Sequence, residues 1–130
     1  MYPMSEFVKP YRLQFDERRY YLYSHVNCEA LTVEIAREYL REVVAECREL
    51  QYKRLLIESD LPQTLPIRKL KFLVSELAGA ETEGIRIAFV NNHPTNRRQA
   101  RRRVLTAETE RIHAAAFATI PDARFWLVQD

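Results

Sequence analysis

Two stretches decide how this chain folds: Arg54-Leu-Leu-Ile-Glu-Ser59 and Gly84-Ile-Arg-Ile-Ala-Phe-Val90. Neither alternates cleanly between apolar and polar residues, as a strand with one wet face would; both are apolar through the centre, the pattern of a strand covered by helices on both sides. They are therefore expected to be central and parallel. Each runs into a polar corner, Asp60 to Leu65 after the first and Asn91-Asn-His-Pro-Thr-Asn96 after the second.

Helical patterns flank these strands. Thr32 suits an N-cap, and after it Val33, Ala36, Leu40, Val43, Val44, Cys47 and Leu50 recur at spacings of three and four, which lays one apolar stripe along about five turns. The other face, with Glu34, Arg37, Glu38, Arg41, Glu42 and Glu46, is expected to face solvent. Pro66 suits the first turn of a second helix striped by Ile67, Leu70, Leu73, Val74 and Leu77, with Gly79 as its end. A third helix is expected from Arg97 to Thr109, capped by Thr95 or Asn96, with Ala100, Val104 and Ala107 inward.

Outside this centre, Tyr11, Leu13 and Phe15 alternate with Arg12, Gln14 and Asp16, the period of an edge strand. A turn at Asp16 to Arg18 leads into a second strand, Arg19 to Val26. At the other end, Ile112 to Ala118 carries helix-forming alanines and fits either a helix or a short last strand, the strand being favoured by the alternation of elements, and Pro121 to Val128 reads as a terminal helix with Ala123, Trp126 and Leu127 inward. The expected fold class is α/β: one mixed, mainly parallel sheet of about five strands in the order β-β-α-β-α-β-α-β-α, over residues 11–130, after a loose lead-in at 1–10.

Composition agrees with a single packed domain. The chain has 130 residues, 47% hydrophobic and 29% charged, with 2 Gly and 6 Pro. With two glycines it holds neither a dinucleotide-binding fingerprint nor a glycine-rich phosphate loop. Cys28 and Cys47 make no Cys-x-x-Cys and no disulfide framework. His25, His93 and His113 share no ligand spacing, so neither a metal nor a cofactor is expected. No apolar run approaches the roughly 20 residues of a membrane span, and no secretory leader is evident at the start, which gives the expectation of a cytoplasmic protein without a membrane partner.

The element order, the strand Arg54 to Ser59 running into Asp60-Leu61, the strand Gly84 to Val90, and the end from Phe117 through Asp122-Ala123-Arg-Phe-Trp126-Leu127 together resemble the SpoIIAA-like branch of the STAS fold. This is the fold of bacterial anti-sigma-factor antagonists. The resemblance implies a small regulatory or protein-interaction domain; separately, no acid, base and nucleophile triangle can be drawn in the sequence, so no enzyme is expected. It also implies a switch by phosphorylation of a Ser in an Asp-Ser-Ser-Gly-like loop after the middle parallel strand. Here that loop reads Asp60-Leu-Pro-Gln-Thr-Leu-Pro66, so no phosphoacceptor is carried over.

In open α/β sheets ligands sit beyond the carboxyl ends of the parallel strands, where loops diverge and helix N-termini point inward. The residues expected there are Asn27 and Cys28, then Asp60, Gln63 and Thr64, then Asn91, Asn92, His93 and Asn96, and finally Thr119. They fit either a pocket or ordinary turn and capping chemistry. No nucleophile among them has an evident base. Beside them Arg97, Arg98, Arg101, Arg102 and Arg103 concentrate positive charge: residues 66–130 hold 11 basic and 7 acidic side chains against 9 and 11 in residues 1–65. As a partner or ligand surface we nominate Asp60, Gln63, Thr64, Asn91, Asn92, His93, Arg97 and Arg98. Its occupant is a protein or, in the alternative reading, a small anionic or apolar ligand with Arg97 and Arg98 as clamps and Asn91 as an orienting group. The short patch and the lack of interleaved aromatics argue against nucleic acid.

Tyr2, Phe7, Tyr11, Tyr20, Tyr21 and Tyr23 crowd the N-terminal hairpin with more aromatic area than one sheet face easily buries. Two outcomes stay open: a homodimer through the hairpin, or cover by the first ten residues.

Overall fold

A computed structural model of the chain describes residues 10–61, 65–76, 84–92, 105–108 and 113–129. The strands are β1 (Arg12–Glu17), β2 (Leu22–Asn27), β3 (Arg54–Ser59), β4 (Arg86–Asn91), β5 (Leu105–Glu108) and β6 (His113–Phe117), and the described helices are α1 (Val33–Glu49), α2 (Ile67–Glu76) and α3 (Ile120–Leu127). Among the described residues they make one α/β unit around a mixed sheet of six strands, ordered β1-β2-β3-β4-β6-β5.

The two stretches that decide the fold lie side by side. β3 and β4 are parallel, with Leu55 opposite Ile87, Leu56 opposite Ala88 and Ile57 opposite Phe89. β2 and β6 extend the parallel block on either side, while β1 and β5 close the sheet antiparallel at its two edges. Alternate residues on these strands feed two cores. Leu22, Val26, Leu55, Ile57, Ile87 and Phe89 pack with α1 and α2 on one face, and Tyr21, Leu56, Ala88, Val90, Ala115 and Phe117 pack with Ala123 and Leu127 of α3 on the other. Burial of each large aliphatic side chain contributes about 1.5–3 kcal/mol.

The helix ends follow local chemistry. The hydroxyl of Thr32 accepts from the Ile35 N–H at the start of α1, and that of Thr119 accepts from the Asp122 N–H at the start of α3, which carries Pro121 in its first turn. Ala36, Leu40, Val43, Val44 and Cys47 of the α1 stripe are buried, with Val33 and Leu50 half-buried at its ends, and Tyr39 joins it, its ring edge-on to Tyr11 with centroids 6.3 Å apart. Glu42 departs from the solvated face expected of it: it is half-buried and accepts from the Tyr11 hydroxyl.

One expectation is corrected. Leu105 to Glu108 form a strand, not the last turn of a helix from Arg97 to Thr109, and this strand raises the sheet from about five strands to six. Its four residues pair antiparallel with β6, Leu105 opposite Ala116 and Glu108 opposite His113. So short a run fits either period, and the ladder offered by the edge of β6 decides between them. The earlier part of the expected helix, the end at Gly79 and the lead-in 1–9 lie outside the described residues.

Candidate functional site

The carboxyl ends of β2, β3 and β4 meet in a polar corner built around a buried carboxylate. Glu58 is the penultimate residue of β3, next to the fully buried Ile57, and is itself only 6% exposed. Its register places it between His25 of β2 and Val90 of β4. A charge so buried requires partners, and the neighbouring strands supply them. The Tyr23 hydroxyl donates to Oε1, and Asn92 Nδ2 donates to Oε2 at 3.1 Å. Both carboxylate oxygens are thereby engaged, one from β2 and one from the segment leaving β4.

A second link lies beside the first. Asn91 Nδ2 donates to the Leu61 carbonyl at 2.8 Å, and Asn91 Oδ1 accepts from the Leu61 N–H at 3.1 Å. The Asn92 N–H also donates to the Ser59 carbonyl at 2.8 Å. The chain leaving β3 is thus fastened to the chain leaving β4 by backbone and side chain together. At the rim, His25 Nε2 lies 3.1 Å from Asp60 Oδ2, a half-buried imidazole against an exposed carboxylate.

The electrostatics follow from this packing. Burial, and then the hydrogen bond and negative charge of Glu58, push the Tyr23 phenol well above its ordinary range, so that it stays neutral and donates. Arg18 stacks on the same ring, 4.8 Å from its centroid. Cys28 follows the end of β2, and burial raises its thiol, which leaves it a weak nucleophile. Cys47 is buried under α1 with its thiol pushed up to about 11 by burial, and its Sγ–H donates to the Tyr52 carbonyl at 3.3 Å.

Of the nominated residues, Asp60, Asn91 and Asn92 are brought together here, with the amides of both asparagines engaged in the corner itself. Gln63, Thr64, His93, Arg97 and Arg98 lie outside the described residues. Tyr23 and Glu58 were missed by the sequence reading. The available signal was an acid inside an otherwise apolar central strand, which demands a partner on an adjacent strand.

A cleft of about 730 Å³ opens between the ends of the hairpin strands and the start of α1, lined by Tyr11, Arg12, Asn27, Cys28, Thr32 and Ile35 among others. Among the described residues, no group of three or more His, Cys, Asp or Glu could hold a metal ion, and no helix is long and apolar enough to cross a membrane. No protein-family model, no curated protein and no solved structure matches this chain.

Proposed function

We propose that this chain is a non-catalytic regulatory or protein-interaction domain of the SpoIIAA-like STAS type, acting in the cytoplasm, whose partner surface is the corner beyond β2, β3 and β4. One observation carries this reading: the polar groups of the corner are spent on one another. Glu58 holds Tyr23 and Asn92, and Asn91 holds the Leu61 backbone, so the corner is a fixed shape rather than a set of groups poised for proton transfer. A rigid surface of this kind limits the ordering cost of binding a protein. The exposed Asp60 beside His25 supplies its charged rim.

The test uses capture from native extract, with the retained protein then purified and titrated against the full chain. Asp60→Arg is expected to weaken reconstituted binding at least about tenfold, about 1.4 kcal/mol, while His25→Ala weakens it less. A partner bound equally well by Asp60→Arg, or no partner reconstituted from pure components, overturns the reading.

A second reading, a domain for a small anionic or apolar ligand, is favoured by the cleft beside Cys28 and Thr32. Thermal melts with phosphorylated metabolites and fatty acids test it, since a ligand that binds the folded state raises the melting temperature by mass action. A shift abolished by Arg97→Ala or Arg98→Ala places the anion as first expected. A shift abolished by Arg12→Ala instead places it in the cleft.

A further inference from the structure

β1 stands at the edge of the sheet, and no described strand pairs with its outer side. Five of its six residues are exposed, Phe15 among them at 38%. An edge with unpaired backbone groups invites another strand, and charged side chains on the edge deter it unless the incoming strand supplies their counter-charges. β1 carries charges of both signs, Arg12 at one end and Asp16 and Glu17 at the other, with Leu13 and Phe15 between them, so a second copy can supply them.

A symmetric antiparallel pairing of β1 with itself has few registers. Directly opposed residues share a face of the sheet, and so do residues two apart on one strand, so the two-fold axis must pass through a residue position. With the axis at Phe15, Arg12 opposes the partner's Arg18 and Leu13 opposes the partner's Glu17, both unfavourable. An axis at Leu13 keeps apolar pairs, Leu13 with Leu13 and Phe15 with the partner's Tyr11, but sets Arg12 against the partner's Gln14 and carries Asp16 off the end of the strand to the partner's Pro10, so neither charge meets its opposite. With the axis at Gln14, Arg12 opposes the partner's Asp16, Leu13 opposes the partner's Phe15, and the two Gln14 amides face each other. Symmetry doubles each favourable pair.

The faces agree with this register. Leu13 opposes Val26 and Phe15 opposes Ser24 within the chain, so both sit on the α1 side, where Leu13 packs on the core and Phe15 is left exposed. Arg12, Gln14 and Asp16 oppose Asn27, His25 and Tyr23 on the other side. The Arg12–Asp16 and Gln14–Gln14 pairs thus gather on one face and the Leu13–Phe15 pairs on the other, where Glu17 opposes the partner's Tyr11 at the margin. Asp16 already pairs with Arg18 of its own chain, and a second cation from the partner extends that pair into a network.

We propose that two copies of this chain join β1 to β1 across a two-fold axis at Gln14, continuing the sheet through both. The interface is isologous, as expected of a symmetric dimer.

Analytical ultracentrifugation of the full chain and of two charge reversals tests this. The unaltered chain is expected to sediment at twice its formula mass. Arg12→Asp and Asp16→Arg are each expected to sediment as monomers, because each places like charges opposite one another twice. Mixing the two variants in equal amounts is expected to restore the doubled mass, because each reversed position then meets its opposite in the other chain. A monomeric unaltered chain at the highest soluble concentration, single variants that remain dimeric, or a mixture that stays monomeric overturns the proposal. Far-UV circular dichroism verifies that each variant is folded. Where one is not, the chain carrying both reversals takes its place, with a dimer supporting the proposal and a monomer overturning it.

Discussion

The side chain of Asn91 grips the backbone of Leu61 from both directions, its amide donating to the carbonyl at 2.8 Å and its oxygen accepting from the N–H at 3.1 Å. The contact crosses from the end of β4 to the end of β3 and sets how the two loops leave the sheet. Leu61 is itself buried, which places the same anchoring role on its side chain.

Asn91→Ala removes both of these half-buried bonds to the Leu61 backbone, at an expected cost of about 1–2 kcal/mol. Asn91→Asp keeps the acceptor, loses the donor and sets a carboxylate against the Leu61 carbonyl, so it is expected to rescue little. Urea denaturation of the three proteins checks this; two variants as stable as the unaltered chain would show that the grip carries no free energy.

Stability is expected to fall in alkali. Burial raises the phenols of Tyr11, Tyr23 and Tyr39 in the folded chain, joined at Tyr11 and Tyr23 by the hydrogen bond to a carboxylate and its negative charge. A raised folded-state pKa favours the neutral phenol, so its contribution is complete below the unfolded value of about 10 and declines as pH rises past it, where the unfolded chain loses protons first. Urea melts between about pH 8 and about pH 11 check the slope. Tyr23→Phe and Tyr11→Phe should each flatten it. An unchanged slope in both would contradict the assignment.

The end of α1 carries a residue suited to replacement. Gln51 sits at φ 64°, the left-handed region, while the Gln51 N–H donates to the Arg48 carbonyl and the Tyr52 N–H to the Cys47 carbonyl. This is the bonding that usually ends a helix on glycine. Gln51→Gly is therefore expected to stabilise by about 0.5–1 kcal/mol. Gly84 at φ 83° is the converse: a Cβ there would meet nothing within 4 Å, so Gly84→Ala is expected to cost about 1 kcal/mol through backbone conformation alone. Midpoints of chemical denaturation measure both, and shifts of the opposite sign would refute the backbone argument.

How far the sequence carried depended on whether the deciding signal was local. The apolar centres at Leu55 to Ile57 and Ile87 to Val90 admit little besides buried strands, and those strands pair in parallel. Thr32 marks the start of α1 because a cap is a contact over three residues, and Pro121 marks the first turn of α3 for a similar reason. Leu105 to Glu108 carried no such mark, since the edge of β6 that captures them belongs to a later part of the chain. The corner was legible as a place through Asp60, Asn91 and Asn92, but not as a network: Tyr23 and Glu58 are 35 residues apart, and only the register of β2 on β3 brings them together. The aromatic residues of the hairpin divide, with Tyr11 and Tyr21 buried and Phe15 and Tyr20 exposed, according to which of them a helix covers rather than to alternation alone.

Whether the corner is a bonded framework is tested most directly by a double-mutant cycle of Tyr23→Phe, which removes the donor, and Glu58→Met, which removes the acceptor at similar size, followed by urea denaturation at neutral pH. The network predicts a coupling of about 1 kcal/mol or more between the two positions, beyond what independent sites show. Strictly additive losses would mean that Tyr23 and Glu58 do not hold one another, and the corner would then lose the rigidity on which its proposed role depends.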